Sequence, residues 1–335
     1  MDLTTTYLGL ELRNPLVASA GPLSSTADGV RRLADAGVGA VVLPSLFEEQ
    51  IRRESERDFQ LALAGTDSFA EALSYLPDAA LDPWPHHDLR LVEKAAAAVG
   101  IPVIASLNGM SPGGWTSYAT AMQNAGAAAI ELNVYYLSDD PVILAREAEQ
   151  HCVELVAAVK SAVRIPVAVK IGPFFSSPGE MAVLLDQAGA DGLVLFNRFM
   201  QATIDPETFT VSAGFPLSSP AEAALPRTWI SRLHGRLRCS LAATTGVETA
   251  ADIAAYLLAG ADVVMTTSAL LRHGPGYATE LLDGLAAWMN RKGFTSVDKA
   301  RGLLSAQVGR PIPGRGGYLS AIGQATHAFS PRASR

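Results

Sequence analysis

The chain has 335 residues, of which 49% are hydrophobic and 18% charged, and its formal net charge is −7 at pH 7. This composition is sufficient for one large domain with a sizeable core. The acidic balance, and the lack of a basic run with interleaved aromatic residues, argue against nucleic acid as a partner. Residues 1–10 lack a signal-peptide pattern and no apolar run reaches about 18 residues, so we expect a cytoplasmic protein without membrane insertion.

Eight short apolar runs along the chain predict buried β-strands. Four of them follow a segment of helical apolar spacing that ends on an Ala-Gly pair, which is typical of a helix C-terminus that leads into a parallel strand. In chain order the predicted strands are 16–19, 40–43, 103–107, 128–133, 167–171, 192–196, 240–244 and 263–267.

Eight such strands alternating with helices predict a (β/α)8 TIM barrel, because no early Gly-x-Gly-x-x-Gly turn marks the crevice of an open sheet. We expect one domain over residues 1–310 with an extended loop insertion after the second strand. This connection spans 45–98, is irregular over 45–87, and is a candidate lid. Residues 311–335 are rich in Gly, Pro, Ser and Arg and predict a C-terminal arm that frays. In a barrel, reacting groups lie at the C-terminal ends of the strands.

Neither cysteines nor histidines have the spacing of a metal site. Cys152 and Cys239 lack a CxxC or Cys/His pattern, so we interpret both as buried thiols. His86 and His87 are adjacent within the irregular connection, and we interpret them as surface loop residues. We therefore expect no metal.

The last two strands end in hydroxyl-rich sequences, Thr244-Thr245-Gly246 and Thr266-Thr267-Ser268. Small hydroxyl residues followed by a helix start allow backbone N–H groups to converge on an anion, and many barrels bind phosphate after strands seven and eight. The alternative is that these residues only cap the helices.

Lys170 is a single lysine in the otherwise apolar fifth strand. Burying it is costly unless it faces an anion or an electron-rich ring, the alternative being a lysine that snorkels to solvent. Asn133 ends the fourth strand, and Asn197 and Arg198 end the sixth, so these side chains are expected around the same opening. A phosphate site, a lysine and several amides fit a flat phosphorylated cofactor such as FMN, and a phosphorylated sugar as well.

Five motifs resemble the dihydroorotate dehydrogenase family of FMN-dependent barrels in order and spacing, over residues 1 to about 295. They are Asn-Pro-Leu-Val-Ala-Ser-Ala-Gly at 14–21, Glu-Leu-Asn at 131–133, Val-Ala-Val-Lys at 167–170, Thr-Gly-Val-Glu-Thr at 245–249 and Thr-Ser-Ala-Leu at 267–270. The whole chain resembles the dihydroorotate dehydrogenase-like branch, on the side of the soluble members.

The resemblance implies an FMN-dependent oxidoreductase acting on CH–CH bonds, with a small carboxylated or pyrimidine-like substrate, dihydroorotate among them. It also implies a homodimer and a place in pyrimidine biosynthesis. The cofactor contacts that it implies are Ser19, Ala20, Asn133, Lys170, Asn197, Thr245, Gly246, Thr267 and Ser268. Lys170 would stabilise the anionic reduced flavin. The implied substrate contacts are Asn108, Asn133, Asn197 and Arg198.

Several positions depart from the family pattern. The family's Cys or Ser base, aligned through Asn133, is replaced by Tyr136, a phenol that is less ionised at pH 7 and suits proton donation better than abstraction. Pro44, Ala72, Ser138 and Arg198 replace other substrate contacts, and Ser219 replaces a glycine near the phosphate. We expect FMN binding to be retained more firmly than dihydroorotate oxidation.

Some alternatives stay open at this level. Arg198 presents its planar guanidinium to a substrate carboxylate, or it pairs with an acid such as Glu131 or Asp205. Asn108 contacts substrate or only forms a turn. The competing functions are a non-redox barrel lyase or isomerase that uses Lys170 on a phosphorylated substrate, and a silent flavin-binding subunit. The electron acceptor is not specified by any motif.

Overall fold

The computed structural model describes residues 1–48, 86–108, 112–134, 144–198, 201–214, 216–306 and 315–329. The strands, in chain order, are β1 (Thr5–Tyr7), β2 (Leu10–Leu12), β3 (Leu16–Ala18), β4 (Ala40–Phe47), β5 (Val103–Asn108), β6 (Ala129–Val134), β7 (Val167–Ile171), β8 (Gly192–Leu195), β9 (Gln201–Asp205), β10 (Thr210–Gly214), β11 (Ser240–Ala243) and β12 (Val263–Thr266).

Eight of these strands form a closed parallel barrel, in the order β3-β4-β5-β6-β7-β8-β11-β12, with β12 paired to β3. The TIM-barrel prediction is therefore confirmed. Each predicted strand coincides with a barrel strand, and β4 and β5 run further than expected, to Phe47 and Asn108. These two extensions carry side chains to the rim where a site is expected.

Helices follow the barrel strands. They are α1 (Ala27–Asp35), α2 (His86–Ala98), α3 (Pro112–Asn124), α4 (Ala145–Ala162), α5 (Pro178–Gln187), α6 (Ala224–Leu233), α7 (Ala250–Ala259), α8 (Ser268–His273), α9 (Tyr277–Lys292), α10 (Val297–Ala300) and α11 (Arg315–Phe329). Several of them, such as α2, α3 and α6, pack against the barrel strands from outside. The four Ala-Gly pairs end helices as predicted, with glycine φ values of +102°, +95°, +98° and +118° at Gly37, Gly126, Gly189 and Gly260.

The N-terminal end of the barrel is closed by the antiparallel hairpin β1–β2. Its side chains Tyr7, Leu8 and Leu12 are buried in one cluster with inward-facing residues of the barrel strands, such as Val17 and Val194. The sequence analysis did not predict this hairpin, because two three-residue strands are too short to show an alternation. With this end filled, the barrel opens at its C-terminal end.

Gly192 makes room for this closure, and we expect Gly192→Ala to destabilise the fold. A Cβ atom on Gly192 would lie 2.5 Å from Leu8 Cδ2 and 3.4 Å from the carbonyl oxygen of Ser240. Such overpacking costs about 1–3 kcal/mol in free energy of unfolding, which a lower urea midpoint would measure. Gly100→Ala is the control, because a Cβ there meets nothing within 4 Å. Equal midpoints for the two variants would contradict the packing described.

Two interpretations of individual residues need correction. His86 and His87 begin helix α2 rather than lying in a surface loop. Cys152 is buried, and burial raises the pKa of its thiol to about 11, but Cys239 is only half-buried. Both cysteines are free.

The long connection and the C-terminal arm are described in part. Residues 45–47 continue β4 and the connection ends with α2, whereas 49–85 lie outside the described residues. In the arm, where composition predicts fraying, residues 315–329 form helix α11. Across the described ranges, no helix is both long and apolar enough to cross a membrane.

Candidate active site

A cavity of about 770 Å³ lies at the C-terminal end of the barrel. Its walls come from residues that end or follow β3, β4, β6, β7, β8, β11 and β12. The predicted site residues that line it are Ser19, Ala20, Asn133, Lys170, Asn197, Arg198, Thr245, Thr267 and Ser268. The structure therefore brings together most of the residues that the sequence analysis selected separately.

Lys170 enters this cavity from inside the barrel. Its side chain is 10% exposed, and its Nζ donates to Oε1 of Glu131 over 3.4 Å. Lys170 lies one position before the end of β7, so its ammonium lines the cavity instead of snorkelling to the outer surface. Glu131 is 1% exposed and faces the same interior from β6. A buried cation with a buried counterion is thus the main charge at this part of the cavity.

Amide side chains form a row beside Lys170. Asn108, Asn133 and Lys170 occupy matching register positions on β5, β6 and β7. Asn197 follows β8, and its Nδ2 donates to Oδ1 of Asn133 over 2.6 Å. Asn108 is 9% exposed and ends β5 at the same level. Asn133 and Asn197 line the cavity and offer donors and acceptors there, whereas Asn108 is not among the lining residues.

Hydroxyl and backbone N–H groups gather near β11 and β12; we call Ser218, Gly246 and Ser268 the hydroxyl cluster. The backbone N–H and the Oγ of Ser218 both donate to Oγ of Ser268 over 3.0 Å, and the Gly246 N–H donates to Oγ of Ser218 over 3.3 Å. Gly246 has a φ of +72°, and a Cβ there would lie 2.7 Å from the backbone nitrogen of Ala223. The chain can approach this closely only because residue 246 is glycine.

The threonines around this cluster do not act as side-chain helix caps. Thr245 Oγ1 donates to the carbonyl of Phe196 over 3.1 Å, and Thr267 Oγ1 donates to that of Ser19 over 2.6 Å. Helix α7 is capped instead by Thr249 and Asp252 in a capping box. Thr267 does occupy the N-cap position of helix α8, as the capping alternative expects, but its side chain makes no capping hydrogen bond. Their hydroxyls tie neighbouring strand ends together around the cavity.

Arg198 pairs with an acid that the sequence analysis did not name. Its Nε donates to Oε1 of Glu222 over 2.9 Å, and its NH1 donates to the carbonyl of Pro216. Burial would raise the pKa of Glu222, but the Ser219 N–H and the Arg198 guanidinium lower it below its usual value. The alternative in which Arg198 pairs with an acid therefore matches the structure, but the acid is Glu222 and neither of the two examples. Glu131 contacts Lys170, and Asp205 accepts hydrogen bonds within its own hairpin.

The remaining selected positions lie at the rim or outside the described ranges. Pro44 lines the cavity together with Ser45 and Phe47. Tyr136, Ala72 and Ser138 belong to residues that the structure does not describe. In the described part of the chain, no group of three or more His, Cys, Asp or Glu residues is arranged to hold a metal ion.

Two residues of the site carry little signal in the sequence. Ser218 precedes Ser219, which stands where the family has a glycine. The sequence does not indicate that Ser218 lines the cavity, and its role follows only from its hydrogen bonds to Ser268 and Gly246. Glu131 is part of the Glu-Leu-Asn motif, but its partner Lys170 is 39 residues away and is met only through strand register. A polar residue in the middle of an apolar strand is the signal that could have selected Glu131.

A closed (β/α)8 barrel with a buried lysine, an amide row and a hydroxyl cluster at its C-terminal mouth has the organisation of a barrel enzyme. Residues 2–289 match the family model described as dihydroorotate dehydrogenase, and the chain belongs to this family. The dihydroorotate dehydrogenases are flavoproteins and oxidoreductases that act on CH–CH bonds, which places this chain in that enzyme class.

Relatives of this chain extend over nearly its full length. A "Dihydroorotate dehydrogenase B (NAD(+)), catalytic subunit" from Methanothermobacter thermautotrophicus is 28% identical over 315 residues, covering 90% of this chain and 98% of the relative. A protein of the same name from Methanocella arvoryzae is 28% identical, with coverages of 90% and 98%. A protein from Aeropyrum pernix, provisionally named dihydroorotate dehydrogenase A (fumarate), is 26% identical, with coverages of 88% and 95%.

Proposed function

We propose that this protein is an FMN-dependent oxidoreductase that transfers hydride between the flavin and a small carboxylated or pyrimidine-like substrate, with dihydroorotate as the first compound to test. The observation that carries the proposal is Lys170, a buried ammonium that lines the cavity, in the same cavity as Ser218 and Ser268 of the hydroxyl cluster. One cation near a ring edge and a separate anion site are what a flat phosphorylated cofactor requires.

The residues present fit FMN. A volume of about 770 Å³ falls within the usual range for sites that enclose a small organic ligand. The Gly246 N–H and the hydroxyls of Ser218 and Ser268 currently satisfy one another, and a phosphate would accept from all three at once. When bound, the flavin supplies the hydride acceptor.

Roles for the other residues follow from their positions. Thr245 and Thr267, which brace the strand ends, complete the phosphate site with Gly246 and Ser268. Ser19 and Ala20 at the end of the first barrel strand contact the ring. Asn133 and Asn197 fix its hydrogen-bonding edge and share their remaining donors and acceptors with the substrate, together with Asn108 and Arg198.

Arg198 suits a positioning role at the substrate side. Its guanidinium lines the cavity, while its Nε and NH1 are engaged by Glu222 and the Pro216 carbonyl. These bonds hold the planar group in one orientation before a substrate arrives, which lowers the entropic cost of binding an anionic group.

The experiment that tests the proposal is an absorbance spectrum of the purified protein, followed by anaerobic addition of dihydroorotate. Flavin bands that bleach would support both the cofactor and the substrate. Bands that persist would remove dihydroorotate as substrate and favour a related compound or a silent subunit. Colourless protein that does not bind added FMN would overturn the proposal in favour of a non-redox barrel enzyme.

The electron acceptor and the assembly are tested separately. The names of the relatives include NAD(+) for two of them and fumarate for the third. Reoxidation of the reduced protein by fumarate, NAD⁺, a quinone or oxygen, followed by stopped-flow absorbance, would identify the acceptor. We propose a homodimer, which light scattering after size-exclusion chromatography would measure.

We propose Tyr136 as the group that exchanges a proton with the substrate: it would accept the proton when hydride passes to the flavin and donate it when hydride returns. We expect Tyr136→Phe to slow turnover by about 100-fold without changing FMN content. The phenol is the group that aligns with the family's proton-transfer residue. Steady-state kinetics and the flavin-to-protein absorbance ratio measure the two effects. Tyr135→Phe is the matched control, and equal rates for the two variants would reduce Tyr136 to a packing role.

A further inference from the structure

Glu131 is a buried carboxylate for which the proposed chemistry has no direct use. It lies in the middle of β6, its side chain is 1% exposed, and its Oε1 accepts from Nζ of Lys170 over 3.4 Å. Its second oxygen, Oε2, is buried and has no hydrogen-bond partner in the part of the chain that the structure describes. A buried carboxylate is costly unless a cation compensates it, and the contact with Lys170 offsets this cost for Glu131.

Among the described residues, Glu131 forms an ion pair with Lys170 and with no second cation. Its register neighbours on β5 and β7 are Ser106 and Ala168, and the Ser106 hydroxyl is bonded to that of Ser45 over 2.7 Å. Tyr7 reaches into the same interior from the β1–β2 hairpin, with a buried hydroxyl that has no partner among the described residues. Burial, followed by the charge of Glu131, raises the pKa of Tyr7 well above its ordinary value, so the phenol stays neutral.

We propose that Glu131 is a positioning residue that holds the Lys170 ammonium at the cavity and partly neutralises its field. This inference rests on the proposed function, because the field of Lys170 matters through the negative charge that a reduced flavin carries. A carboxylate 3.4 Å from the ammonium weakens the attraction that the ammonium exerts on that charge. Glu131 therefore sets how easily the cofactor is reduced, without contacting it.

Glu131→Gln should expose the effect. The amide has nearly the same shape, but the negative charge is gone, so Lys170 acts on the ring without a counterion. Sulfite is the probe, because its sulfur lone pair forms a bond to the oxidised flavin and leaves the ring anionic. At pH 7 we expect sulfite to bind at least about tenfold more tightly than in the unmodified protein. A tenfold shift in the reduction equilibrium corresponds to about 30 mV for a two-electron couple.

Two further variants separate this effect from a general loss of stability. Asp186→Asn removes another largely buried carboxylate, whose side chain is 10% exposed and lies 3.3 Å from Arg238. Asp186 lies in helix α5, on the outside of the barrel. It should lower stability but leave sulfite affinity within twofold. Glu131→Asp keeps the charge and should stay nearer to the unmodified protein than Glu131→Gln does. If Glu131→Gln shifts sulfite affinity no more than Asp186→Asn, the inference is wrong.

A measurement on the unmodified protein covers the case in which Glu131→Gln does not fold. A crystal structure of the FMN-free protein should show Nζ of Lys170 within hydrogen-bond distance of Oε1 of Glu131, as it is here at 3.4 Å. A Lys170 side chain turned away from Glu131 would overturn the inference. This readout needs no flavin, so its result is independent of whether the proposed cofactor binds.

Discussion

Lys170→Ala is expected to lower the rate of flavin reduction by about 100- to 1,000-fold and to weaken FMN binding. Removing one preorganised charge that faces developing negative charge in a water-poor site has an effect of this size. The Lys170 side chain is 10% exposed and lines the cavity, so solvent cannot replace the missing ammonium easily. Anaerobic stopped-flow absorbance measures the rate, and the flavin-to-protein ratio measures the binding.

Lys160→Ala is the matched control for this experiment. Lys160 lies in α4 and forms its ion pair with Asp191 on the outer side of the barrel, with a side chain 29% exposed. The control should reduce its flavin at the normal rate. Full flavin occupancy together with normal photoreduction in Lys170→Ala would show that the ammonium does not lie at the ring.

Gly246→Ala is expected to raise the dissociation constant of FMN by about 100-fold, equivalent to about 3 kcal/mol. A Cβ at residue 246 would lie 2.7 Å from the backbone nitrogen of Ala223 and 2.9 Å from the carbonyl oxygen of Ser219. These backbone atoms cannot rotate away, so the chain must shift and carry the Gly246 N–H out of the phosphate site. Fluorescence titration of the FMN-free protein measures the affinity.

Gly293→Ala separates the clash from backbone strain. Its φ of +75° is close to the +72° of Gly246, but a Cβ there meets nothing within 4 Å. Both variants should lose stability from the left-handed conformation, about 1–2 kcal/mol each. Only Gly246→Ala should also lose FMN affinity. Equal FMN affinities would mean that the hydroxyl cluster is not the phosphate site.

The barrel was predictable from sequence because every barrel strand is a short apolar run, and four of the eight directly follow an Ala-Gly pair. An Ala-Gly pair such as Ala259-Gly260 ends a helix, and a short apolar run follows at once. Both signals lie within about ten residues of each other and need no knowledge of distant neighbours. The hairpin formed by β1 and β2 carries no such signal, because its burial depends on the barrel interior that it enters.

The site was predictable in composition but less so in its pairings. Lys170 was selected because a lysine in an apolar strand needs an explanation, and the cavity supplies one. Its contact with Glu131 depends on the register of β6 against β7. The contact of Arg198 with Glu222, 24 residues further along the chain, depends on how the intervening segment folds back to the barrel. The sequence shows the residues that form such pairs, but it does not show which of them contact one another.

The hairpin that fills the N-terminal end of the barrel also determines how ligands travel. Because Tyr7, Leu8 and Leu12 fill that end, a ligand enters the barrel described here through its C-terminal end, where the cavity lies. A cofactor whose ring lies above Lys170, and a substrate stacked on that ring, would then use the same entrance. If the proposed cofactor and substrate bind in this way, the cofactor would enter first and could leave only after the substrate or product has gone.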